Sequence, residues 1–180
     1  AYAPMVVIFG GIPVFVESRN GNSPASFRIT EALNNAIELI KSKGLKIKFV
    51  RSDAAGGNDK MIGYLQKRGI LYYVRGSRNK LTYEQEEGMI WEQSEENERI
   101  QYAIDRVYTN DRPSKWIDYK IQKYADEKDP KAFGIMTTDF NSSPETIIKI
   151  YNERAEQENR FAELKQIGWH YMTHHSLKYN

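Results

Sequence analysis

The sequence predicts an α/β protein built on a mixed sheet, and three observations predict it. Short apolar runs alternate with segments of helical periodicity between Ile29 and Arg75. Glycines punctuate that alternation at Gly44, Gly56-Gly57 and Gly69, where helices stop or chains turn. A differently patterned, β-rich region then intervenes before one last strand and a helix.

Taken in order, Met5-Val6-Val7-Ile8-Phe9 and Ile12 to Ser18 flank Gly10-Gly11 and read as an antiparallel hairpin, with Pro13 suited to an edge or a strand start. Arg19 to Pro24 is turn chemistry, and Ser23 or Ser26 offers a cap for a helix expected from about Ser26 to Ser42. Lys46 to Asp53 reads as a strand ending in an acid. A helix follows from Asn58 or Asp59 to about Arg68, with Met61, Ile62 and Leu65 inward, and then the strand Ile70 to Arg75. Strand, helix and strand in alternation predict parallel, helix-covered strands. Residues 76–131 read as a β-rich insertion, with a hairpin from Gln101 to Tyr124 turning at Asn110 to Pro113. Ala132 to Thr138 is the last strand. It feeds a helix capped by Ser142, or by Ser143 with Pro144 first, and stopped by Gly168.

Composition narrows the function classes. A chain of 180 residues with 40% hydrophobic content buries one good core and a smaller lobe at most. Its 26 basic and 24 acidic residues leave a net charge of +2, so any nucleic-acid contact must be local. No cysteine is present, which excludes disulfides and thiolate metal sites. No apolar run approaches the roughly 18 residues of a membrane span, and the opening Ala1-Tyr2-Ala3-Pro4 lacks a signal peptide's basic region. The expectation is a soluble cytoplasmic protein. The start without methionine and the end at Leu177 to Asn180 suggest a piece of a longer chain.

The chemistry concentrates in two stretches. On a helix, Tyr151, Arg154, Glu158 and Lys165 fall within roughly 60° of one another around the axis. Ala155 and Ala162 on the same face would let that helix approach its support closely. A carboxylate flanked by arginine, tyrosine and lysine suits a metal and phosphate site; a solvated amphipathic face is the plainer alternative. Asp53 sits at the carboxyl end of a predicted parallel strand, where open α/β sheets place ligand-binding groups, and the small Ala54, Ala55, Gly56 and Gly57 follow it. Asp53 has a plain alternative too, an Asx turn or a helix cap.

The spacing Tyr-x2-Arg-x3-Glu-x6-Lys resembles the signature around the third catalytic acid of the DDE transposases of bacterial insertion sequences. Arg51-Ser52-Asp53-Ala54-Ala55-Gly56 resembles that family's segment around its second acid. Arg19-Asn20-Gly21-Asn22 is similar as well, and the likeness runs through the whole chain in order. It implies a ribonuclease H-like mixed sheet flanked by helices, formed by residues 1–75 and 132–180, with residues 76–131 inserted before the last core strand and helix. It further implies cleavage and joining of DNA at transposon ends by two-metal chemistry with Mg²⁺ or Mn²⁺. Asp53 and Glu158 would hold metal, Tyr151, Arg154, Lys165 and Arg51 would contact DNA, and the active complex would be a homodimer on transposon ends and target.

The family's first catalytic acid has no matching residue here. Glu17 is the only acid nearby, and its place beside the Arg19 turn does not fit that motif. With two acids of three, the 180-residue chain is expected to be inert and to bind metal weakly. Trp116 and Trp91 are candidates for base stacking, or for packing in the hairpin. Lys48, Arg75, Arg78 and Lys80 are candidate phosphate contacts, His170, His174 and His175 include an i, i+4 pair, and the acidic run from Tyr83 to Glu98 argues against DNA contact there. The competing functions are another ribonuclease H-like nuclease or resolvase and a domesticated DNA-binding module without catalysis.

Overall fold

The computed structural model describes residues 5–19, 22–76, 89–109, 111–122, 124 and 132–154. The chain divides into two compact units, residues 1–47 with 154–180 and residues 48–153. Among the described residues no helix is long and apolar enough to cross a membrane.

The first unit carries the expected hairpin. Strand β1 (Met5–Phe9) pairs antiparallel with β2 (Ile12–Glu17) in a sheet of their own. Gly10 and Gly11 both have positive φ, +57° and +83°, which a two-residue type I′ turn requires of its central residues. The register slips between Val7 and Ile8, where Pro13, with no N–H to give, faces Ile8. Helix α1 (Ile29–Ser42) buries Ala32, Leu33, Ala36, Ile37 and Ile40 along one stripe.

That helix starts later than its sequence suggests, and neither Ser23 nor Ser26 caps it. Its N-cap is Arg28 in the left-handed region at φ +54°. The reason is Arg19, a buried residue whose Nη1 donates to the carbonyls of Ala25 (3.1 Å) and Phe27 (2.6 Å) and so holds residues 25–28 in a separate turn. Arg28 then pairs with Glu31 on the helix and Glu17 at the end of β2.

The second unit is a six-stranded sheet in the order β3-β4-β8-β7-β6-β5. β3 (Phe49–Ser52) and β4 (Leu71–Gly76) are parallel, joined by helix α2 (Asp59–Lys67), whose cap is Asn58 accepting from the Met61 amide. β5 (Glu92–Gln93), β6 (Ile100–Thr109), β7 (Arg112–Ile121) and β8 (Ala132–Thr137) pair antiparallel in succession, and β8 pairs antiparallel with β4. The β-rich segment thus extends the same sheet instead of folding apart from it.

Helix α3 (Pro144–Asn152) begins as Ser143 and Pro144 predict, with the Ser143 hydroxyl accepting from the Thr146 amide. Tyr72 and Tyr73 point to opposite faces of β4. Gln66 of α2 meets Tyr72 and Ser114 on one face, while Ile147, Ile148 and Tyr151 of α3 join Tyr73, Tyr102, Ile117, Tyr119 and Ile135 on the other. Two helices on opposite faces of a mixed sheet are the α/β arrangement the sequence predicts.

Candidate active site

Asp53 leaves the carboxyl end of β3 beside its parallel neighbour, since Ser52 aligns with Val74. The residue is exposed, and its Oδ1 accepts from the Ala55 amide at 3.0 Å, capping a turn of 3-10 helix over Ala54–Gly56. The Asx turn foreseen as the plain alternative is therefore formed, and it fixes where the carboxylate stands. The small residues after it are required by packing. A Cβ on Gly56 would collide with the Ser52 side chain, and one on Gly57 would come within 2.9 Å of the Arg75 carbonyl oxygen.

Helix α3 reaches this edge of the sheet. Arg51, two residues before Asp53, donates from Nη1 to the Ile150 carbonyl at 2.6 Å and lies 3.5 Å from the Glu153 carboxylate. Tyr119 donates its hydroxyl to Asn152 Oδ1 at 3.2 Å. The helix C-terminus presents unpaired carbonyls and the negative end of its dipole, so a guanidinium there is favourable on both counts. Sequence reasoning missed this use of Arg51. The signal was faint, because nothing local pairs a strand arginine with a carbonyl about a hundred residues away.

Tyr151, the first member of the Tyr-Arg-Glu-Lys run, is only 5% exposed and belongs to the hydrophobic cluster beneath α3. The helix ends at Asn152 with Glu153 as its C-cap, well before the stop expected at Gly168, so Arg154 follows in a turn, half-buried, and does not share a helical face with Tyr151. Glu158 and Lys165, with the remainder of the predicted helix, lie outside the described residues, as do Arg78, Lys80, His170, His174 and His175.

The comparison with protein families decides what kind of chain this is. The family model described as Transposase DDE domain group 1 matches residues 1–180. The chain belongs to that family. No curated protein matches it. As a DDE transposase domain it is of an enzyme family that acts on DNA in recombination and generally uses divalent metals.

The donor chemistry around Asp53 in the transposase domain suits such an ion: an exposed, hard carboxylate oriented by a backbone N–H at a strand end. Among the described residues no cluster of three or more His, Asp or Glu side chains is assembled. Glu17 is held by Arg28.

Of the other residues singled out, Trp116 lies with its indole across two glycines, Gly76 of β4 and Gly134 of β8; a Cβ on either would fall inside the ring. Trp91 is covered by the Lys120 ammonium at 4.6 Å from its ring centre, Arg75 stands 4.5 Å from the Phe133 ring centre, and Lys48 is exposed.

A second strand-end acid, Asp139, sits at the opposite end of the sheet from Asp53, after β8. Its Oδ1 accepts from the amides of Asn141 (3.2 Å) and Ser142 (3.0 Å), and its Oδ2 accepts from the Tyr73 hydroxyl (2.7 Å). Burial opposes its charge, but the hydrogen bonds from Ser142, Tyr73 and Asn141 prevail and hold its pKa below the ordinary carboxylate value. In turn, burial and the Asp139 carboxylate push the Tyr73 phenol well above its usual range. Asp139 thereby ties β4 and β8 to the loop before α3, and its role is structural.

Proposed function

We propose that this transposase domain cuts and joins DNA phosphodiesters at transposon ends, with Asp53 and Glu158 as two of the carboxylates that hold divalent metal, Mg²⁺ or Mn²⁺. The observation that carries the reading is the Arg51 to Ile150 hydrogen bond, which brings the C-terminal end of α3 beside the strand that ends in Asp53. Glu158 follows that helix end in sequence. The bound metal would supply Lewis-acid activation of the attacking oxygen and neutralise the charge of the phosphate.

The chain's own residues set that reaction up. The Asx turn keeps the Asp53 carboxylate aimed outward from the strand end. Tyr151, packed in the core, works as the anchor that sets the rotation of the helix, more than as a free phosphate contact. Arg154 and Lys165, which with Glu158 make up the Tyr-x2-Arg-x3-Glu-x6-Lys spacing, balance phosphate charge near the cut. Trp116 offers the flat ring that a base displaced at a transposon end would stack on. The active form is expected to be a homodimer on two ends.

The test uses the whole transposase and a labelled transposon-end duplex. Asp53→Asn and Glu158→Gln should each lower nicking by at least about a thousandfold while DNA binding persists. Cleavage within tenfold of the wild type in either variant overturns the assignment of that residue.

A further inference from the structure

The basic residues of this chain are not spread evenly. From Leu39 to Ser52 the sequence holds Lys41, Lys43, Lys46, Lys48 and Arg51 and no acid, in a chain whose overall charge is only +2. Arg51 is spent on the end of α3. The lysines are not: all four are exposed, and none takes part in an ion pair among the described residues.

Three of them belong to one small structure in the first unit. Lys41 lies in the last turn of α1 and Lys43 is its C-cap residue. Gly44 then turns the chain at φ +71°, with its amide on the Lys41 carbonyl (2.9 Å) and the Leu45 amide on the Ile40 carbonyl (3.3 Å). The turn leaves Lys43, Gly44, Leu45 and Lys46 all exposed. Its backbone is fixed by hydrogen bonds, so the lysines project from a firm base. A helix C-terminus favours a cation in its last turn, which accounts for one lysine. It does not account for Lys43 and Lys46 beyond the helix, or for the lack of any acid through Ser52.

We propose that Lys41, Lys43 and Lys46 form a contact for the phosphate backbone of duplex DNA, separate from the cutting residues and indifferent to base sequence. Ammonium groups on flexible stems suit such a contact, because they neutralise phosphates as point charges and read no base edges. The proposal rests on the DNA reaction proposed above, and deepens it by assigning non-specific affinity to one surface.

The experiment compares wild-type transposase with the triple variant Lys41→Gln, Lys43→Gln, Lys46→Gln on a transposon-end duplex and on random duplex of equal length, from 50 to 200 mM salt. Each neutralised phosphate contributes about 0.9 to the slope of log K against log salt. The expected result is a slope shallower by about 2 to 3 for both duplexes, with the affinity ratio between them unchanged. The triple Lys→Arg variant should keep the wild-type slope. An unchanged slope with a lowered melting temperature would show that the lysines serve only the helix end, and would overturn the proposal. A fall confined to the transposon end would overturn it too, since that is sequence reading. Asp53→Asn, run alongside, separates the two ideas: cutting by that variant defeats the active-site assignment and leaves the slope result standing.

Discussion

Arg51 and Ile150 are joined by a 2.6 Å hydrogen bond from guanidinium to carbonyl, linking strand β3 to the C-terminal end of α3. The Arg51 side chain is 16% exposed, so the bond is largely shielded from water, whereas its second partner Glu153 is 52% exposed. Arg51→Ala should cost about 2 kcal/mol of stability, the range for a hydrogen bond to a charged group. Glu153→Gln should cost less than about 1 kcal/mol. Urea unfolding of both variants checks the order, and equal losses would mean that the ion pair, not the carbonyl, holds the helix.

Trp116 depends on the absence of side chains at Gly76 and Gly134. Gly134→Ala should destabilise by about 1 to 3 kcal/mol, because the indole must leave its place. Adding Trp116→Ala should recover part of that loss. A double-mutant cycle reads the coupling directly, and additive costs would show that the ring is not what excludes a Cβ there.

Asp139 should give the domain an acid-sensitive term. Its folded pKa is depressed, so its stabilising share is fully present above the ordinary value of 3.8 and is lost as pH falls below that through the lower folded value. Asp139→Asn should lower stability at pH 7 and flatten the fall in stability below pH 4. Denaturant midpoints from pH 7 to pH 2 would show it, and parallel curves for variant and wild type would dismiss it.

Arg19 makes two hydrogen bonds to carbonyls from a buried position, and no acid pairs with it among the described residues. Arg19→Ala should release the turn at residues 25–28 at a cost of about 2 kcal/mol. Hydrogen exchange should rise first at the start of α1. Unchanged protection there would mean that the turn holds without the arginine.

Much of this protein could be read locally. Gly10-Gly11 between apolar runs meant a hairpin, Asn58 and Ser143-Pro144 meant helix starts, and Lys46 to Arg75 meant a strand, a helix and a parallel strand. In each case the hydrogen bonds that form the element lie within a few residues, so the signals are written side by side. The site was half legible. Asp53 at a strand end and the spacing from Tyr151 to Lys165 pointed to the family that the comparison then established. The use of small residues after Asp53 was read as room for a ligand, while Ser52 and the Arg75 carbonyl already need that room.

By itself, then, the sequence determined most of the strands and helices among the described residues, and the family, because periodicity, caps and motif spacing act over short distances. Tertiary structure alone decided that residues 100–121 extend the main sheet through β8, that α1 starts at Ile29 under the hold of Arg19, that Tyr151 is buried, and that Arg51 is spent on a helix end. Each of these depends on a partner brought in by folding. A side chain's role follows from what burial and hydrogen bonding leave it free to do.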